Sequence, residues 1–529
     1  MNDKALTIYK ASAGSGKTFT LSAEYIKLLI LNPNSYRSTL AVTFTNKATE
    51  EMKMRILSQL YGIWKQLPDS KGYTDKIKKE LGIGDKMLTE RAGIALHNIV
   101  SNYSYFRIET IDSFFQSVLR NLARELDLTA NLKVELNDED IESNAVDQLI
   151  TELREKDDFL KWIMDFIQEN IDEEHDWNVI GNIKEFGKNI FKEFYKTHSK
   201  ELNKKLAEKG FFGRYTHTLR QLRDNAKKDI QAGADRFFQA LEERGYTVND
   251  LSNKTKGVAG YFIKIRNGVM DDSILTKTAV GALNGETDKW VTGSAPQDLR
   301  DFATGTLAKI LEETEEVRSK RWRTYQSAAL TLRNINQLRL LNSIDTKVRE
   351  MNMETNRFLL SDTHSLLHSL IQDSDSPFIF EKIGTRLETI MIDEFQDTSV
   401  IQWQNFKVLL EECMSNGETK GNLIVGDVKQ SIYRWRSGDW RMLNNIETEF
   451  PGKNDMLKLE PLDTNWRSQR NVIVFNNAFF KAMADVEYDN LTQLDSSDNG
   501  ILRAEQLKKA YSDVEQKVAE KKKEAQIGR

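Results

Sequence analysis

Four short stretches carry residues whose types and spacing could handle phosphate groups. The first, ASAGSGKT at residues 11–18, places Gly14 and Gly16 just ahead of Lys17 and Thr18. Glycines let a loop's backbone N–H groups close around an anion, and the lysine and hydroxyl that follow can reach the β- and γ-phosphates and ligate Mg²⁺. Ala11 stands where such loops usually begin with glycine. The second stretch, TIMIDEFQDTS (389–399), reads as an apolar strand ending in Asp393 and Glu394. Carboxylates so placed can hold the metal, here Asp393 together with Thr18, and align an attacking water, here Glu394. In the third, GDVKQSIYRWRSGDW (426–440), Gln430 can sense a γ-phosphate while Tyr433 and Trp435 offer faces for unpaired bases. In the fourth, LDTNWRSQRNVIVFNN (462–477), Trp466 could cover an adenine face and Arg467 could grip phosphate in a bidentate way.

These side chains need a scaffold that brings them together. LTIYKA (6–11) reads as a buried strand, and Leu21, Tyr25, Leu28 and Leu29 share one face of a helix. The loop between them would therefore open onto a helix N-terminus, where phosphate is favoured. The strands of the core are expected at 5–10, which is this first strand, and at 39–44, 106–111, 389–392 and NLIV from 422. Nearly the whole length between residues 17 and 393 separates the two phosphate-side motifs, which one parallel sheet tolerates only if an entire domain is inserted between neighbouring strands. The stretch 299–341 has helical spacing with charged outer faces, so that insertion should be mostly helical. Inside it, KTKGVAGYFIKIRNG (254–268) reads as a glycine-rich loop, and the basic, aromatic run at 188–220 as a solvated helical face that could touch a nucleic-acid backbone. His364 and His368, four apart, read as a helix face. The end of the chain, from 501, reads as a charged helical tail after the polar turn DSSDNG.

Taken in order, the blocks resemble superfamily 1 DNA helicases of the UvrD/PcrA/Rep type, most closely the RecB/AddA branch, whose phosphate loop likewise reads ASAG-x-GKTFT. LAVTFTNKATEEMKMR (40–55) resembles a motif that contacts single-stranded DNA, which assigns that role to Phe44, Thr45 and Asn46. TIDSFF (110–115) resembles the next DNA-contacting motif, with Asp112 where a histidine is common. The DEFQDTS and GDVKQSIYRWR blocks match the family's motifs II and III, so Gln430 would couple γ-phosphate to DNA, Tyr433 and Trp435 would meet bases, and Arg436 would support the site. NWRS (465–468) resembles motif IV, with Trp466 on the adenine and Arg467 on the γ-phosphate. Around the nucleotide the resemblance places Ala11, Ser12, Ala13, Gly14, Ser15, Gly16, Lys17, Thr18, Phe19, Trp466 and Arg436, with Lys17, Asp393, Glu394, Gln430 and Arg467 as the catalytic set. Asp362, just before motif II, is a further DNA-side candidate.

The resemblance implies an α/β fold: a RecA-like P-loop NTPase core, a parallel sheet flanked by helices, with a large all-helical insertion. Its segments would run 1–125, 126–355 for the insertion, 356–460, and 461–529 for the start of a second RecA-like domain. It implies ATP and Mg²⁺ as cofactors, single-stranded DNA and duplex junctions as partners, an AddB/RecC-like second helicase–nuclease subunit, 3′ to 5′ movement, and work in recombination and double-strand-break repair. The glutamine that UvrD-type members place before the loop to read adenine is missing from the first ten residues, and the family's motifs V and VI are not found, so an N-terminal portion of a longer helicase is expected.

Composition narrows the alternatives. The net charge of −5 excludes a uniformly basic nucleic-acid binder but leaves room for a basic groove. No apolar run reaches the roughly 18 residues a membrane helix needs, and a single cysteine, Cys413, supports no disulfide framework; a cytoplasmic location is expected. A regulatory module that binds ATP without turnover is the rival reading, and Glu394 argues against it. A small-molecule kinase is excluded by the distance to the carboxylate strand and by the 426–440 block.

Overall fold

The computed structural model describes residues 4–122, 133–135, 138–154, 178–208, 210–355, 357–359, 362–364, 366–368, 387–415 and 421–520, with a few more between 160 and 167. The expected start of the insertion at 126 and the last nine residues of the tail lie outside them. The chain forms two compact units. One is built from Met1–Asp138, Phe191–Thr197 and Asn352–Arg529; the other from Glu139–Ile190 and His198–Met351.

The first unit carries strands β1 (Leu6–Ala11), β2 (Thr39–Thr43), β3 (Ile108–Thr110), β4 (Lys133–Glu135), β5 (Arg357–Leu359), β6 (Thr389–Ile392), β7 (Asn422–Gly426), β8 (Leu457–Leu462), β9 (Thr464–Asn465) and β10 (Lys517–Val518). Six of them make one sheet in the order β3-β2-β6-β7-β1-β8. Every pairing in that sheet is parallel. Its strands alternate between two cores. Leu40, Val42, Ile390, Ile392 and Ile424 face one cluster with Phe114, Phe115 and Phe406. Ala41, Met391, Leu423 and Val425 face the other, made by the helices α1 (Lys17–Leu31), α2 (Asn46–Trp64), α3 (Lys71–Leu81) and α4 (Asp85–Ser101). Helices on both faces explain why β2, β6 and β7 read as unbroken apolar runs, since a parallel sheet has no wet side. This is the RecA-like core the resemblance implied, with the helical insertion between β3 and β6.

Sequence reading missed β8. LKLEPL alternates apolar and charged residues and carries Pro461, because β8 is the sheet edge, where a missing N–H costs little. It pairs with β1 from Leu6↔Leu457 to Ala11↔Leu462. The charged tail also differs from expectation. A helix runs only from Asp498 to Ala510, with Ser497 capping it by accepting from Gly500 N. The chain then turns, and β10 pairs with β9.

Among its described residues the regular elements of the second unit are all helices. Its longest helices are Phe211–Glu243, with 33 residues, and Ala308–Glu354, with 47. Residues 254–268 correct the loop expectation: Ala259–Arg266 is a helix whose Ala259, Tyr261, Phe262 and Ile265 are buried in this unit's core. The glycines there permit close approach, not slack. A side chain at Gly257 would meet Ser252 O at 2.0 Å, and one at Gly260 would meet Thr255 O at 2.5 Å. Of the basic residues at 188–220, Lys188 pairs with Glu139 and Glu185, and Lys205 with Glu208. No helix among the described residues is long and apolar enough to cross a membrane.

Candidate nucleotide site

The site is assembled at the C-terminal ends of β1, β6 and β7. β1 runs out at Ala11 and the chain turns tightly through Ser12–Gly16, with Ser15 N bonding Ser12 O at 3.1 Å. Two left-handed positions make the turn: Gly14 at φ 72° and Gly16 at φ 88°, a conformation open to glycine without a Cβ penalty. Gly14 is needed for space as well, because a side chain there would lie 2.9 Å from Asn465 Oδ1. Gly16 then starts α1 without a side-chain cap, and the first turn holds no acidic residue. The helix N-terminus and its loop therefore offer N–H groups and positive dipole to an anion, which fits a triphosphate.

Lys17 reaches from this helix across to β6 and β7. Its Nζ lies 2.6 Å from Glu394 Oε2 and 3.2 Å from Gln430 Oε1. Asp393 N bonds Val42 O, and Asp393 Oδ1 accepts from Glu394 N at 3.0 Å. Burial, and secondarily the neighbouring Glu394, push the Asp393 carboxyl up to about 6, with Lys17 pulling the other way. A buried, crowded carboxylate facing a lysine is what a divalent cation would stabilise in its charged form. Glu394 sits at φ 49°, left-handed without being glycine. Such strain costs on the order of 1–3 kcal/mol and persists only where surrounding bonds enforce it.

Here Glu394 N donates to Asp393 Oδ1 and Glu394 O accepts from Asp397 N, while the Glu394 side chain is held by Gln396, which sequence reading passed over. It is 1% exposed. Its Nε2 donates to Glu394 Oε2 at 2.8 Å and to Asp397 Oδ2 at 3.2 Å, while its Oε1 accepts from Asp427 N at 2.9 Å. Asp427 in turn accepts from Gln430 Nε2 at 2.7 Å. Burial and the Glu394 charge push Asp397 up to about 6 as well.

Asn465 shapes the fourth motif. Its Oδ1 accepts from Arg467 N and Ser468 N at 2.9 and 2.8 Å, an Asx turn that an asparagine ahead of a tight bend signals in sequence. The turn projects Trp466, 57% exposed, beside the loop, with Trp466 N bonded to Gly14 O at 2.9 Å and Trp466 Cδ1 at 3.8 Å from where a Gly16 side chain would begin. Arg467 is exposed next to it. Phe19 packs at a tilt against Tyr73 of α3, with 4.3 Å between ring centroids.

The strand-side candidates form a second group. Phe44 and Tyr433 rings are 4.6 Å apart, Tyr433 and Trp435 6.1 Å, and the Arg436 guanidinium lies 4.7 Å over Trp435 and 5.9 Å over Phe44. Arg436, expected among the nucleotide-binding residues, thus sits with this aromatic group. Trp435 is 71% exposed. Thr45 caps α2 by accepting from Ala48 N, and Asn46 opens that helix in solvent. Asp112 bonds His364 Nε2 at 2.9 Å and Gln402 Nε2 at 3.3 Å. Burial works to raise its carboxyl, but His364, Arg436 and Gln402 outweigh it and hold the group below the usual range. Asp362 is paired with Lys196 at 2.6 Å.

The sequence features of this site recur as a set. The profile of the UvrD/REP helicase N-terminal domain matches residues 3–451, which span the phosphate loop, the carboxylate strand, the aromatic group and the insertion, and stop short of the turn at 465–468. The chain belongs to the UvrD/REP helicase N-terminal domain family. Among curated proteins it is similar to the AddA component of the ATP-dependent helicase/nuclease of Listeria welshimeri, at 25% identity over 92% of this chain, and to the protein of the same name from Clostridium novyi, at 24% over 94%. It is likewise similar to the exonuclease/helicase component RexA of Lactococcus lactis subsp. cremoris, at 24% over 92%. In each case the match spans 39% of the relative's length.

Proposed function

We propose that this domain binds ATP with Mg²⁺ and couples its hydrolysis to movement along single-stranded DNA. The observation that carries the reading is the bonded group of Lys17, Glu394 and Gln430, which joins a phosphate loop, a carboxylate strand and a sensor loop at one end of the sheet. Lys17 and the N–H groups of the loop would take the β- and γ-phosphates, drawing Lys17 off Glu394. Glu394, so released, would align water. Gln430 and Arg467 would register the γ-phosphate, and Trp466 would pack against the base. Thr18 and Asp393 would hold Mg²⁺, which supplies charge neutralisation at the phosphoryl oxygens. Phe44, Tyr433 and Trp435, with Arg436 behind them, would stack unpaired bases, while Thr45, Asn46 and Asp112 would border the strand. Binding should care little about base sequence and fall as salt rises. The names of the relatives support a role in DNA processing by a helicase–nuclease. On that basis we place the domain in double-strand-break repair and recombination, in the cytoplasm, moving 3′ to 5′ beside an AddB/RecC-like partner.

The test is nucleotide binding and ATPase activity of the chain with and without single-stranded DNA, using Lys17→Ala as the blank. Lys17-dependent binding is expected, with Trp435→Ala weakening DNA binding at unchanged nucleotide affinity. Nucleotide binding indifferent to Lys17→Ala would overturn the reading.

A further inference from the structure

Residues 511–518 lie beyond the part of the chain that the family profile covers, yet they touch the candidate nucleotide site at two separate places. The first is the phosphate loop. Gln516 Nε2 donates to Ala13 O at 2.8 Å, and Asn465 Nδ2 bridges Gln516 Oε1 at 2.7 Å and the same Ala13 O at 3.2 Å. Gln516 is itself held from behind: Asn477 donates to Gln516 O at 2.8 Å and accepts from Gln516 N at 3.0 Å. Lys517 N bonds Asp463 O at 2.7 Å where β10 joins β9. The second contact is the sensor loop. Asp513 pairs with Lys429 at 3.0 Å, Lys429 with Asp427 at 3.2 Å, Asp427 accepts from Gln430 Nε2, and Gln430 Oε1 accepts from Lys17 Nζ. At the second contact, Ser512 and Asp513 line a cleft of about 250 Å³ together with Lys10, Gly426, Lys429 and Lys509.

We infer that this strap completes the nucleotide site, with Gln516 as a positioning residue for the phosphate loop; the inference rests on the nucleotide reading above. A peptide unit is planar, so the C=O of Ala13 and the N–H of Gly14 point in opposite directions. Drawing the Ala13 carbonyl outward onto Gln516 and Asn465 turns the Gly14 N–H to the opposite side. On the other side of Gly14, Trp466 N fixes the next carbonyl. Both peptides that flank Gly14 are therefore set from the strap and from the turn it pairs with. A glycine at φ 72° cannot hold that orientation by its own preference, since glycine populates many others. Asp513, through Lys429 and Asp427, sets the sensor glutamine in the same way.

The experiment is titration of the full chain with fluorescent N-methylanthraniloyl-ATP and Mg²⁺, for wild type, Lys17→Ala, Gln516→Met and Gln516→Glu. Both Gln516 variants keep the side chain's length and remove the donor to Ala13, so each should weaken binding about fivefold to tenfold. The melting temperature and the amide exchange of Lys517 and Val518 should stay as in wild type. Wild-type affinity in both variants overturns the inference and leaves the nucleotide reading standing. Weakening that comes only with a lower melting temperature and faster exchange of those amides also overturns it, as the strap would then serve the fold alone. No Lys17-dependent binding in wild type removes the nucleotide reading and the strap with it.

Discussion

At the scale of single residues, the site depends on one buried amide. Gln396 uses both ends of its side chain, one to hold the Glu394 carboxylate and the other to accept from Asp427 N. Gln396→Met would leave that N–H buried without an acceptor, at about 1–3 kcal/mol. We expect thermal unfolding of the core unit to shift down and ATP turnover to fall more than tenfold with nucleotide affinity little changed; turnover at the wild-type rate would show that Glu394 needs no such support. Glu394→Gln should keep ATP binding and abolish turnover. The residues of the phosphate loop, the paired carboxylates and Gln430 were legible in sequence because each lies in a local pattern with a chemical reason. Gln396 and Gln516 were not. Their partners, Asp427 and Ala13, are distant in the chain, and a glutamine becomes a positioning group only when two elements have been brought together.

At the scale of elements, strands buried on both faces announced themselves as apolar runs, and α1 by the spacing of Leu21, Tyr25 and Leu29. Elements with one wet side did not, as with β8, nor did elements whose glycines serve packing, as with Ala259–Arg266. The same device recurs where the helices Phe211–Glu243 and Ala308–Glu354 touch. A side chain at Gly233 would meet Thr314 Oγ1 at 2.4 Å and Cγ2 at 2.5 Å, and Thr314 is 1% exposed. Alanine favours an isolated helix over glycine by about 1 kcal/mol. Here overpacking should win, so Gly233→Ala should destabilise the helical unit by about 1–3 kcal/mol in a denaturant titration. Pairing it with Thr314→Ala should restore part of the loss; a stabilised Gly233→Ala would mean the helices part without cost.

At the scale of the whole molecule, each compact unit has its own core, and pH should act on them unequally. Glu142 of the helical unit is fully buried and its two carboxyl oxygens have no hydrogen-bond partner among the described residues. Burial pushes its carboxyl up to about 7, with Lys184 and Lys188 opposing and Glu185 and Glu139 adding to the shift. A group raised in the fold from 4.5 contributes its stability fully below that value and loses it as pH rises through about 7. The loss should amount to about 1–3 kcal/mol. Calorimetry from pH 5 to 8 should show this unit's transition falling, and Glu142→Gln should flatten the fall; an unchanged slope would mean the carboxylate finds water or a lysine when charged. The sheet has a consequence of another kind. β1, which carries the phosphate loop, has only β7 and β8 as neighbours, and both are encoded more than 400 residues later. A ribosome adding about 5–20 residues per second needs roughly 20–80 s to deliver them. Through that interval the nascent β1 lacks both of its sheet neighbours, and a strand made before either neighbour is among the last of the sheet to be locked into place.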